Sequence, residues 1–110
     1  MTTLLLHDDT MIEHDPGFGH PERSQRLEAI VAALAARPVA GTRTVAPRPA
    51  PREAITRVHH PDYVDRVDAA RGQHVRFDPD TVASAKSIEA AYLAAGAAID
   101  AVDAEPTDAP

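Results

Sequence analysis

His7, Asp8, Asp9, Glu13, His14 and His20 crowd the start of this chain, and imidazole and carboxylate side chains together can ligate a divalent metal ion. Their spacing matches no metal-ligand motif, and histidines flanking a glycine loop serve as readily as hydrogen-bonded structural groups. Cysteine is absent, which removes disulfides and cysteine-based metal sites. Glu22 and Arg26 stand four apart, the spacing of a helical ion pair worth a few tenths of a kcal/mol, ~0.3–0.5. An arginine also stays charged and offers fixed donors to a carboxylate ligand. Asp78 and Asp80 flank Pro79 and precede Thr81. Asp and Thr before a helix satisfy free N–H groups at its positive end. No nucleophile shares their motif, so they do not read as an acid/base pair.

The elements that must position these groups are legible in outline. Thr3–His7 is a short continuous apolar run, suited to a strand buried on both faces. Asp8–Asp15 is acidic and polar and reads as a loop. Gly17 and Gly19 permit an irregular approach loop, and Pro21 suits the first position of a helix. Leu27, Ile30, Val31 and Leu34 then repeat along one apolar helix face, which Arg37-Pro38 ends. Arg26 flanks that face and does not oppose it, which fits partial burial. Thr42–Ala46 is a second strand, and Pro51–Val58 a short helix. Pro61 opens a third helix, with Tyr63, Val64 and Val67 on one face and Gly72 as its terminator. The last helix starts near Ser84 and carries Ile88, Tyr92, Ala95, Ile99 and Val102, ending in a loop at Glu105–Pro110. Its small patch Ala94–Ala98, with Gly96 at the centre, invites close approach of another backbone.

Composition sets limits on partners. The chain has 110 residues and a formal net charge of −6, and its eleven Lys and Arg are scattered among acids. Phosphate binding needs a basic patch, so nucleic acid is not an expected partner. No apolar run reaches the length of a membrane span, and Met1–His7 lacks the basic leader of a signal peptide. A soluble cytoplasmic protein is the expectation. Alanine dominates the apolar residues, so the core should be thin at roughly 25 cal/mol per Å² buried.

The string Gly19-His20-Pro21-Glu22-Arg23-Ser24-Gln25-Arg26-Leu27-Glu28-Ala29-Ile30, introduced by His14-Asp15-Pro16-Gly17-Phe18, resembles the opening segment of the histone deacetylase and acetylpolyamine amidohydrolase family, in its bacterial, class II-like branch. That resemblance implies an α/β fold, the N-terminal portion of the arginase/deacetylase architecture, in which helices flank a mostly parallel sheet. It is incomplete and helix-rich here. Residues 1–110 would be the first part of a domain truncated on its C-terminal side. The family hydrolyses acetyl amides on a zinc ion held by two aspartates and a histidine. A tandem histidine acts as general base, and a tyrosine polarises the acetyl carbonyl.

Carried over residue by residue, the resemblance makes Arg26 the arginine at the inner end of the active-site tube, beside the acetate channel. Asp80, and after it Asp78, match the rim aspartate that accepts hydrogen bonds from the substrate. His20 and Pro21 fall on the first rim loop. His59-His60 lies in a His-x-x-Tyr-Val context and reads as a helix junction, not the catalytic pair, with Tyr63 a core tyrosine. No Asp-x-His occurs. The chain alone is therefore expected to be inactive, without metal ligands or catalytic residues, and marginal in stability. The complete domain would use Zn²⁺ and act on an acetylated small molecule or an acetyl-lysine protein. Two other classes fit the same residues, a non-enzymatic helical interaction module and a small His-based metal-binding protein.

Overall fold

The N-terminal apolar run forms β1 (Thr3–Leu6), and Thr42–Val45 forms β2. In a computed structural model, which describes residues 2–108, the two pair in parallel with Leu4 opposite Arg43 and Leu6 opposite Val45. Parallel neighbours need a crossover, and α1 (Ser24–Ala36) provides it. The β1 leucines are only half-buried rather than covered on both faces, because a two-stranded sheet crossed by one helix leaves much of its surface open. The stretch expected as a loop after β1 contains a 3-10 turn at Asp9–Glu13, with the Asp8 side chain accepting the Thr10 N–H.

Helix α1 begins at Ser24, later than Pro21. His20 is the reason: its Nδ1 accepts the Glu22 N–H at 3.1 Å and its carbonyl accepts the Arg23 N–H at 3.3 Å, which closes a turn over these residues. The apolar face of α1 is the expected one, yet no α1 residue is buried, and Ile30 and Leu34 are exposed.

The second part of the chain packs more closely. It comprises α2 (Arg52–Ile55), α3 (Pro61–Ala69), β3 (Val75–Asp78), β4 (Thr81–Ala83) and α4 (Ser87–Asp108). Helix α2 is shorter than Pro51–Val58, since Pro51 is its cap and the chain turns after Thr56. The β3–β4 hairpin stands where a rim loop and helix start were expected. Val75 and Phe77 turn inward while Arg76 and Asp78 face solvent, and an irregularity between Arg76 and Asp78 leaves Phe77 out of the antiparallel register. That hairpin moves the start of α4 from Ser84 to Ser87. At its other end α4 runs to Asp108 rather than stopping at Glu105. Ala109 and Pro110 lie outside the described residues.

The core gathers Ala70, Ala83 and Ile88, with Val67, Val75, Phe77 and Tyr92 packed around it. Val64 is the most deeply buried large side chain, at 2% exposure. Ala50, Ala83 and Ala90 are also buried, as a thin, alanine-built core requires. The radius of gyration is 15.6 Å, against about 13 Å for a closed domain of this length. The small patch on α4 has the expected role. A Cβ at Gly96 would collide with the Arg48 carbonyl, and the Ala50 N–H reaches the Tyr92 carbonyl at 2.9 Å.

Candidate functional site

The loop from His14 to Arg23 is held by side chains far away in sequence. Ser84 and Ser87, at the start of α4, are both buried. The Ser84 N–H donates to Ser87 Oγ at 2.6 Å across the turn that leads into α4. Ser87 Oγ also meets His14 Nδ1 at 2.6 Å. Ser84 Oγ accepts the Asp15 N–H at 3.0 Å and donates to the Glu13 carbonyl at 3.3 Å. Ser24 Oγ closes the base of the loop by donating to the His14 carbonyl at 3.0 Å. Between these anchors Gly17 and Gly19 adopt φ of +107° and +82°, conformations that favour glycine. The tip so formed carries an exposed Phe18.

The hairpin meets this loop. His20 Nε2 lies 3.0 Å from the Asp80 carbonyl oxygen and donates to it. Pro79 and Asp80 form the hairpin turn, where Asp78 Oδ1 accepts the Asp80 N–H at 2.8 Å. This N–H, followed by the Thr81 hydroxyl, holds the Asp78 carboxyl below its ordinary value of 3.8. Neither aspartate starts a helix; both belong to the hairpin. The Asp80 carboxylate is exposed and accepts no hydrogen bond among the described residues.

A cleft of about 620 Å³ opens between α1, α3, α4 and the hairpin. Arg26, Glu22, Asp78 and Tyr63 contribute polar groups to its walls, over apolar surface from Leu27 and Ile88. Arg26 is exposed, not partly buried, because α1 has nothing packed over that side. Its guanidinium forms no ion pair among the described residues, since Glu22 turns instead to His14 Nε2 at 3.5 Å. A free cation and a depressed carboxylate therefore share one opening, which suits a ligand with an anionic end and an N–H donor.

Of the residues singled out from sequence, Arg26 and Asp78 line the cleft, while His20 and Asp80 join each other beside it. Pro21 is exposed in the turn before α1. His60 does cap α3, its Nδ1 accepting the Asp62 N–H. Tyr63 is not a core residue: it is 45% exposed, lying against the His59 ring and beneath Arg66, because Val64 takes the inward position on α3. The early His and acidic residues scatter. His7 pairs with Asp9 at 3.0 Å, a partner that neither His14 nor His20 shares. Among the described residues no three His, Asp or Glu side chains converge to hold a metal ion. Sequence reasoning missed the Ser84/Ser87 pair, whose signal was Ser-x-x-Ser ahead of an apolar helical run.

A model of the histone deacetylase domain matches residues 20–106. The chain belongs to the histone deacetylase family. Histone deacetylase 15 of Arabidopsis thaliana is 36% identical over 100 residues, covering 88% of this chain and 18% of that protein. The crystal structure of the HDA15 HD domain superposes with a TM-score of 0.85 at 32% identity. That match covers 94% of this chain and 31% of the solved one. The helices and small parallel sheet described above are thus an incomplete deacetylase α/β fold, and the matched segment includes Arg26, the hairpin and most of α4. No helix among the described residues is long and apolar enough to cross a membrane.

Proposed function

We propose that this chain is the N-terminal part of a zinc-dependent deacetylase domain whose complete, cytoplasmic form hydrolyses the amide of an acetyl-lysine or an acetylpolyamine. The observation that carries this reading is spatial. Arg26 and Asp78 are far apart in sequence yet line one cleft, and the His20–Asp80 contact seals its neighbouring edge. In this reading Arg26 serves the leaving side of the reaction, because an unpaired guanidinium stabilises an acetate ion or orders its water. A hairpin aspartate accepts the amide N–H of the bound substrate. Asp80 has the free carboxylate for that role, and Asp78 the place on the cleft wall. The metal site and the residues that act on the acetyl carbonyl come from elsewhere in the complete domain, so this chain alone hydrolyses nothing.

The test is steady-state kinetics with metal analysis on the complete domain. Asp80→Ala should lower kcat/KM on an acetylated peptide or polyamine by on the order of 100-fold, the cost of a substrate misplaced by about 1 Å, with metal content unchanged. If Asp78→Ala is the damaging change instead, the substrate contact belongs to Asp78. If neither variant alters kcat/KM, both aspartates serve only the hairpin turn and the substrate role is withdrawn.

A further inference from the structure

The deacetylase reading assigns work to Arg26, the hairpin aspartates and the rim loop, but it leaves unexplained the His14 ring and the two serines under it. His14 spans three parts of the chain. Its Nδ1 is 2.6 Å from Ser87 Oγ on α4, its Nε2 is 3.5 Å from Glu22 Oε2 in the turn before α1, and its own carbonyl accepts Ser24 Oγ. The hydroxyl network beneath it meets the ring at Nδ1. Ser87 Oγ accepts the Ser84 N–H, and Ser84 Oγ accepts the Asp15 N–H while donating to the Glu13 carbonyl. Ser87 Oγ lies 2.6 Å from His14 Nδ1 and 3.0 Å from Ser84 Oγ, so its hydroxyl joins the ring to the second serine. With its proton on Nε2, His14 accepts from Ser87 at Nδ1 and turns Nε2–H toward the Glu22 carboxylate. The buried hydroxyls of Ser84 and Ser87 both have partners, and a satisfied buried pair favours one arrangement of the loop above it.

We infer that His14 is a positioning residue for the deacetylase reaction, holding the rim loop on the N-terminal end of α4 so that His20 meets the hairpin. The inference rests on the proposed deacetylase function. Its physical ground is the contrast between the loop's two ends and its tip. At the tip, Gly17 and Gly19 stand at positive φ, and a Cβ added to either would meet no atom within 4 Å. The tip therefore has no packing of its own to fix it. Its registration comes from His14, Asp15 and Ser24 on one side and from the His20–Asp80 bond on the other. Losing the Ser87–His14 bond frees the first of these anchors and lets the loop drift from the hairpin without touching Arg26 or the aspartates.

The experiment compares His14→Ala, His14→Asn and Ser87→Ala in the complete domain. Asparagine places an acceptor near the position of Nδ1 and keeps the Ser87 bond, whereas alanine does not. Two substrates separate positioning from general damage: an acetyl-lysine peptide long enough to reach the rim, and a minimal acetyl-lysine amide that does not. His14→Ala and Ser87→Ala should raise KM for the peptide by about tenfold, within the range expected of sub-ångström to ångström misplacement, and leave the minimal substrate within about threefold. His14→Asn should restore the peptide KM. Equal losses on both substrates, or no rescue by asparagine, would overturn the inference in favour of a purely structural histidine. Amide hydrogen exchange over residues 16–23 of the same domain gives a readout independent of catalysis. Faster exchange there in His14→Ala, but not in His14→Asn, is expected, and unchanged exchange overturns the inference. A wild-type domain that hydrolyses neither substrate would sink the deacetylase reading alone, since the exchange result still decides whether His14 anchors the loop.

Discussion

The layer built from β1, α1 and β2 and the layer built from α2, α3, the hairpin and α4 are made of similarly apolar sequence, yet they are in different states of completion. In the first, Leu4–Leu6 are half-buried, α1 has no fully buried residue, and Ile30, Leu34 and Val39 face solvent. In the second, Val64, Ala70, Ala83, Ile88 and Leu93 are buried, and polar groups close around them. The Tyr92 hydroxyl donates to Asp68 at 2.7 Å, Arg52 bridges Asp65 and Asp68, and Arg71 reaches Glu89. Burial thus follows from the number of partners an element has rather than from its own pattern. Helix α4 packs Ile88 and Tyr92 with Val67, Ala70 and Ala83 and also lies against the Asp9–Glu13 turn and β1, while α1 presents a regular apolar stripe on which Ile30 and Leu34 stay exposed. Between the layers runs the segment at Arg48–Ala50, pressed on Gly96 and tied to Asp100 through the Arg48 N–H and guanidinium.

A single core position puts this contrast under the greatest load. Ile88→Ala should cost about 2–5 kcal/mol, as removal of a buried aliphatic side chain does, whereas Leu34→Ala on the exposed α1 stripe should cost well under about 1 kcal/mol. Amide exchange protection along α4 measures both. Equal losses would mean that the two layers are equally consolidated, and the contrast would fail.

A smaller effect is expected where the layers join. Gly96→Ala must push the Arg48–Ala50 backbone away from α4, because the added carbon meets main-chain atoms and not a flexible side chain. Overpacking of that kind costs typically about 1–3 kcal/mol. Thermal or urea unfolding of the variant checks it, and an unchanged midpoint would show that the joint yields freely.

The least of these effects concerns acid. The Arg48 N–H and then its guanidinium hold the Asp100 carboxyl below its ordinary 3.8. At Glu89 burial opposes ionisation but is outweighed by the hydrogen bond and charge of Arg71, so its pKa is also lowered. A carboxyl depressed in the folded state contributes stability above its unfolded pKa and loses it as pH falls through the folded value. Stability should therefore fall with acid below about pH 4. Asp100→Asn should flatten that slope slightly, since exposed clamps of this type are screened by solvent. The midpoint of thermal unfolding followed against pH would show it, and an identical slope in wild type and variant would remove Asp100 from the account.

Local patterns fixed much of the outline in advance. The apolar run at Thr3–Leu6, the α1 stripe ended by Arg37-Pro38, the proline starting α3 and the small patch of α4 all depend on contacts between near neighbours, which period and propensity encode. The His-Pro-Glu string similarly carried the family, since a motif is a local object. What the sequence did not reveal depended on distance. Val-Arg-Phe-Asp alternates too briefly to declare a strand, and β3 exists because β4 is there to pair with it. Helical position suggests partial burial for Arg26 and a core place for Tyr63, but exposure is decided by which elements cover a face, and α1 and that side of α3 are left open. The Glu22–Arg26 spacing suggests an ion pair, and the fold turns Glu22 toward His14 instead. The knot of His14, Ser84 and Ser87 is the clearest case. Its members are separated by about seventy residues, and each is ordinary in its local sequence. Only the packing of α4 against the N-terminal turn brings their polar atoms within bonding distance and buries the two serines, which then need protein partners.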